Sequence, residues 1–191
     1  MFENNFTRAN PGLIVILVDQ SFSMSAEWTD GKSLAEQTAL VINRCIAEMG
    51  FRFTSGTSIK ESANIVLIGY GGEPTYEAEL IRSGSIREFI ENPIRKEVVK
   101  KKEYNREIGF YEIYFEIPIN IEPVAGYVTP MGSALTLAES IVREWVNRTD
   151  SRDKSKDPVP LIINISDGAP TDESGYIMSD FTPIVDIAHR I

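Results

Sequence analysis

The sequence predicts an α/β protein. The expected fold is a doubly wound, mainly parallel central sheet flanked by helices, with one antiparallel edge and a hairpin insertion at about residues 94–117. Two observations carry this. Three apolar runs, Leu13 to Val18, Ile65 to Ile68 and Leu161 to Ile165, are β-branched, nearly continuous and closed by turn-type residues. That is how strands covered on both faces of a parallel sheet read, whereas the strands of a sandwich alternate. Helical periodicities lie between them, and alternation of strand and helix builds parallel sheets.

The elements follow in order. The first strand runs into Asp19-Gln20-Ser21-Phe22-Ser23. Ser33, with Glu36 three residues on, forms a capping box that opens a helix. Leu34, Thr38, Val41, Ile42, Cys45 and Met49 recur at helical spacing as its expected buried stripe, and Gly50 is its expected C-terminal cap. The second run leads into Gly71-Gly72. Tyr76 to Ile81 then reads as a short edge strand and Ser85 to Glu91 as a short helix. The 94–117 hairpin carries Arg95, Lys96, Lys100, Lys101, Lys102 and Arg106. This cluster reads as a solvated edge protected by Lys in preference to a docking patch for an acidic partner. After Gly132, Ala134, Ala138, Ile141, Val142 and Trp145 mark a second helix. Asp150 to Asp157 is a polar loop before the third run. Thr182-Pro183 starts a last helix with the stripe Ile184, Ile187, Ala188 and Ile191.

Composition narrows the function. With 191 residues, 42% of them hydrophobic, the chain can bury the core of a single domain spanning 1–191. Its net charge of −9 argues against generic nucleic-acid binding and against docking on an anionic membrane. Cys45 and His189 are the sole residues of their types, which excludes an internal disulfide, cysteine-based zinc sites and multi-histidine metal sites. Met1 to Asn10 lacks the apolar core of a signal peptide, and Leu13 to Val18 is too short to span a bilayer. A cytoplasmic location is therefore expected.

Two carboxylates stand at strand ends, Asp19 after the first apolar run and Asp167 after the third. In open α/β sheets the C-terminal edge of the strands carries the binding crevice. A carboxylate there needs a positive partner, and no Lys or Arg is near either Asp in sequence. The company is hydroxyl oxygen. Hard oxygen ligands suit Mg²⁺, Mn²⁺ or Ca²⁺. Two carboxylates neutralise a divalent ion and leave it able to accept one more anionic oxygen.

Asp19-Gln20-Ser21-Phe22-Ser23 resembles the Asp-x-Ser-x-Ser signature of von Willebrand factor type A (vWA) domains. Thr129-Pro130-Met131-Gly132 is similar to that family's second metal loop, and Ser166-Asp167-Gly168 to its third. The resemblance covers roughly residues 11–191 and implies a Rossmann-like sheet with a metal-ion-dependent adhesion site. It implies that Ser21, Ser23 and Thr129 ligate the ion, with Asp19 and Asp167 acting directly or through water. Mg²⁺ is the first choice of ion, and a partner protein would supply an Asp or Glu as the last ligand. The overall flavour resembles intracellular bacterial members of the family. The family usually continues for two more strands, so the chain is expected to lack its last strands, which would leave the third apolar run as an exposed edge. Trimming from a longer protein is the favoured account. Self-association through that edge and rerouting of residues 108–117 onto it are the alternatives.

Plainer roles exist for each residue. Ser21 and Ser23 are able to cap the next segment, Thr129 to cap its helix, and Asp167-Gly168 to form a turn. Two other functions compete with an interaction module that has no catalysis of its own. A haloacid-dehalogenase-like phosphatase or phosphotransferase also places an Asp after its first strand, but needs a second Asp two residues later, where Ser21 stands. A scaffold subunit with a vestigial metal site is the other. A P-loop is excluded, because no Gly-x4-Gly-Lys-Ser/Thr run is present.

Overall fold

The computed structural model describes residues 5–148 and 154–191. The first four residues and residues 149–153, which include the first half of the Asp150–Asp157 loop, lie outside the described residues. Four strands form the main sheet: β1 (Gly12–Asp19), β4 (Ala63–Tyr70), β5 (Glu79–Ser85) and β8 (Leu161–Ile165), in the order β5-β4-β1-β8. β1 is parallel to both neighbours, and β5 is antiparallel to β4. β2 (Thr54–Ser55) and β3 (Ser58–Ile59) make a small hairpin, and β6 (Arg95–Asn105) and β7 (Gly109–Ile119) a long ribbon. The helices are α1 (Leu34–Arg52), α2 (Ile86–Glu91), α3 (Met131–Asn147) and α4 (Thr182–Arg190). No helix among the described residues is long and apolar enough to cross a membrane.

The period of two along β1 divides the core. Ile14, Ile16 and Val18 join Ala39, Ile42 and Ile46 of α1 and Ile86 and Phe89 of α2. Leu13, Val15 and Leu17 join Ala134, Leu135, Ala138 and Val142 of α3, with Ile184, Ile187 and Ile191 packed beside them. Both faces of β1 are thus covered, which explains its uninterrupted apolar sequence.

The expected capping box of α1 is formed, and the structure adds a second at α2. Ser33 Oγ accepts the Glu36 N–H at 3.2 Å while Glu36 accepts the Ser33 N–H at 2.8 Å, and Ser85 with Glu88 repeats the pattern at α2. The stripe of α1 differs from expectation. Ala35, Ala39, Ile42, Asn43, Ile46 and Gly50 are buried, whereas Val41 is 52% exposed and Cys45 is exposed. Small Ala and Gly side chains let the helix approach more closely than the predicted row would. Gly50 is not a cap. It lies inside α1, where an added Cβ would come within 2.6 Å of Ile90 on α2.

Three further expectations are corrected. The edge strand begins at Glu79 and not at Tyr76. Ala188 of the α4 stripe is exposed. β8 is a strand parallel to β1 but is not covered on both faces: Leu161 is 48% and Ile163 37% exposed. Only its Ile162 side meets the α3 and α4 cluster closely. Residues 109–119 do not reroute onto β8, because β7 pairs with β6 along its whole length.

The ribbon is fixed at its base and projects beyond it. Ile117, Ile119 and Ile121 are buried. Asn43 of α1 accepts the Asn120 N–H at 2.7 Å and the Ile121 N–H at 3.2 Å, and donates to the Ile121 carbonyl at 2.9 Å. Toward the tip, Tyr104 and Phe110 meet edge to face with centroids 5.2 Å apart. Several members of the basic cluster pair with acids: Lys96 with Glu116, Lys100 with Glu112, and Arg95 with Glu97 and Glu122. Exposed pairs of this kind contribute little stability, and they offset the charge a docking patch would need.

Candidate functional site

The C-terminal ends of β1 and β8 bring four of the five predicted residues into one hydrogen-bonded group. Asp19 is the last residue of β1, opposite Tyr70 of β4, and Val18 before it pairs with Ile165 of β8. Asp19 Oδ1 accepts the Ser21 N–H at 2.9 Å. Ser21 Oγ and Ser23 Oγ are 3.1 Å apart, and Ser23 Oγ donates to Asp167 Oδ1 at 2.8 Å. The two carboxylates are therefore bridged by the serines of the loop between them. Asp19 and Ser21 are each 1% exposed, while Ser23 and Asp167 face solvent. The group has a buried end and an open end.

Thr129 is buried at the head of α3, on the adjacent loop. Among the described residues its hydroxyl makes no hydrogen bond to the other four. Backbone contacts hold the loop in place. Gln20 accepts the Gly126 N–H at 2.7 Å, Tyr127 accepts the Phe22 N–H at 2.8 Å, and Gly71 accepts the Tyr127 N–H at 2.6 Å. Gly71 has φ +84°, and a Cβ there would collide with the Val128 carbonyl. Thr171 secures Thr129 reciprocally: its Oγ1 accepts the Thr129 N–H at 2.9 Å and its own N–H donates to the Thr129 carbonyl at 3.0 Å.

The plainer roles for the hydroxyls are not realised. Ser21 precedes a single 3₁₀ turn, Phe22–Ser25, without a side-chain capping bond, and Pro130 rather than Thr129 is the N-cap of α3.

Two participants escaped the sequence reasoning. Ser166 Oγ donates to Asp19 Oδ2 at 2.5 Å, so it holds the second oxygen of the buried carboxylate. Its place beside Asp167 was the available signal. Thr171 carried no local signal, since its partner lies 42 residues away.

Burial pushes the Asp19 carboxyl above its ordinary range, opposed by the Ser166 and Ser21 hydrogen bonds and aided slightly by Asp167. Burial and the nearby Asp19 also push the Tyr70 phenol up, so Tyr70 stays protonated and donates to Asn164 Oδ1 at 2.8 Å. Neither Asp19 nor Asp167 takes part in an ion pair among the described residues.

No group of three or more His, Cys, Asp or Glu side chains suited to a metal is gathered among the described residues. A cation at this edge would have to draw on hydroxyls beside the two carboxylates. Asp19, Asp167, Ser21 and Ser23 are such a set, with Thr129 on the adjoining loop. Its oxygen-only chemistry fits a hard divalent ion and not zinc held by sulfur or imidazole. No protein-family model, curated protein or solved structure matches the chain.

Proposed function

We propose that this protein is a single vWA-type interaction module of doubly wound topology. In this reading it binds a divalent cation, Mg²⁺ first, and through it an Asp or Glu of a partner protein. Asp19, Ser21, Ser23, Thr129 and Asp167 hold the ion. The chain works in the cytoplasm and performs no catalysis of its own.

The observation that carries the reading is the pair of carboxylates bridged through the Ser21 N–H and the Ser21 and Ser23 hydroxyls, with the inner one buried and unpaired with any cation among the described residues. Leaving a buried carboxylate without a counter-charge costs free energy, and a divalent ion would remove that cost. The surroundings suit a protein ligand. Phe22 is 70% and Tyr127 53% exposed, on two loops joined by a backbone hydrogen bond. Exposed aromatics beside a polar centre are typical anchors of protein interfaces. The phosphatase reading gains nothing here, because the Ser21 hydroxyl in place of its general acid is turned to Ser23.

Isothermal titration with MgCl₂ tests the reading directly. Saturable binding to the wild type, lost in Asp19→Asn and in Ser21→Ala/Ser23→Ala, is expected. Equal affinity in all three would refute the assignment. Partner binding, once a partner is captured, should vanish in EDTA.

A further inference from the structure

Beside the candidate centre, at the ends of β4 and β5, lies a cavity of about 240 Å³. It is smaller than pockets that take drug-sized ligands, and its size suits one long side chain. Gln20, between Asp19 and Ser21, lines it. Gln20 is 6% exposed, yet among the described residues its carboxamide makes no hydrogen bond. Its amide atoms are not sealed in the interior but open onto the cavity, where they are available to a ligand. The floor around it is glycine. A Cβ on Gly69 would collide with Gln20 Oε1, and one on Gly72 would come within 2.9 Å of it. Neither glycine has a positive φ, so the need is for space around the carboxamide and not for backbone freedom. The mouth is acidic: Glu73, Glu77 and Glu79 line it, all exposed, and none joins an ion pair among the described residues.

We infer that this cavity is a subsite for a basic side chain, Arg or Lys, whose charged head meets the Gln20 carboxamide oxygen and the glutamates at the mouth. Three carboxylates provide the attraction, and the carbonyl oxygen of Gln20 provides an acceptor for an N–H donor. A neutral polar side chain would satisfy Gln20 but gain nothing from the glutamates. Resting on the reading of the metal centre given above, the partner would then present two features side by side: a carboxylate for the ion and a basic residue for the cavity. Because Gln20 is flanked by Asp19 and Ser21, the two subsites share one loop.

The test uses amino-acid amides without a free carboxylate, so that it does not depend on the metal. ¹⁵N-labelled protein is titrated with N-acetyl-arginine methylamide and N-acetyl-lysine methylamide, in Mg²⁺ and again in EDTA. N-acetyl-citrulline methylamide, isosteric with arginine but neutral, is the control. Saturable shifts at the Gln20 side-chain amide and at Gly69, Gly71 and Gly72 are expected with at least one basic probe. Citrulline should bind at least tenfold more weakly, and Glu73→Gln/Glu77→Gln/Glu79→Gln, changed only at the exposed mouth, should lose affinity by a similar factor. Arginine and lysine responses tell which basic group is preferred. Absence of saturable shifts with both basic probes, or equal binding of citrulline, would overturn the subsite. Cavity binding that persists in EDTA while Mg²⁺ fails to bind would refute the metal centre and leave the subsite standing.

Discussion

Replacing Asp19 by Asn separates two roles of one buried group. Without metal, the carboxylate is held by the Ser21 N–H and the Ser166 hydroxyl, yet burial outweighs those bonds and raises its pKa. An amide of the same shape keeps the acceptor oxygen for Ser21. It obliges Ser166 to turn toward the Gly168 carbonyl, already 3.3 Å away. In EDTA at neutral pH, Asp19→Asn should therefore be as stable as the wild type or more so. With Mg²⁺ the order reverses. An ion present at a hundred times its dissociation constant stabilises the folded wild type by about 2.7 kcal/mol. For a domain of this size that is roughly 5–10 °C in Tm. The variant should show none of that gain. The pH dependence has a definite sign. A carboxyl whose folded pKa lies above its ordinary 3.8 contributes stability at low pH and loses it as pH rises through the folded value. In EDTA, the stability of wild type relative to Asp19→Asn should fall as pH rises from about 3 toward neutrality. Differential scanning fluorimetry of both proteins, with EDTA or MgCl₂ and across pH, measures all of this. An equal Mg²⁺ gain in both proteins would refute the reasoning. So would a metal-free Asp19→Asn destabilised by more than about 2 kcal/mol, since the hydrogen bonds would then outweigh desolvation.

Three further outcomes follow from particular contacts. Asn43→Leu removes the side chain that serves three backbone groups of Asn120 and Ile121, and should cost about 2–4 kcal/mol by urea denaturation; a loss under about 0.5 kcal/mol would show that the ribbon base is held by other contacts. Gly71→Ala should cost at least about 1–3 kcal/mol, because its φ is +84° and the new methyl meets the Val128 carbonyl, and should weaken Mg²⁺ binding by displacing the Thr129 loop. Wild-type stability in the variant would argue that the loop relaxes freely. Ile163→Lys, on the exposed side of β8, should leave stability within about 0.5 kcal/mol and reduce any concentration-dependent self-association seen by light scattering. Self-association unchanged by the lysine would place the contact elsewhere on the molecule.

The sequence by itself determined what rests on short-range physics. The β-branched runs became β1, β4 and β8, because an apolar strand has few other stable states. The Ser33–Glu36 box sets where α1 begins, since it is a pair of hydrogen bonds closed within three residues. Asp19 and Asp167 stand at neighbouring strand ends because both follow parallel strands that adjoin in the sheet. Tertiary structure decided what depends on which surfaces meet. Two overlapping rows of α1 had helical spacing, and packing against the sheet and α2 selected the one with Ala35, Ala39 and Gly50 over the one with Val41 and Cys45. The apolar composition of β8 could not reveal that Leu161 and Ile163 face outward, because exposure follows from strand order and not from the strand's own residues. Ser166 on Asp19, Thr171 on Thr129 and the close approach of Gly69 to Gln20 join segments tens of residues or more apart. Periodicity and capping act over one helical turn, whereas such contacts exist only once the whole sheet has assembled.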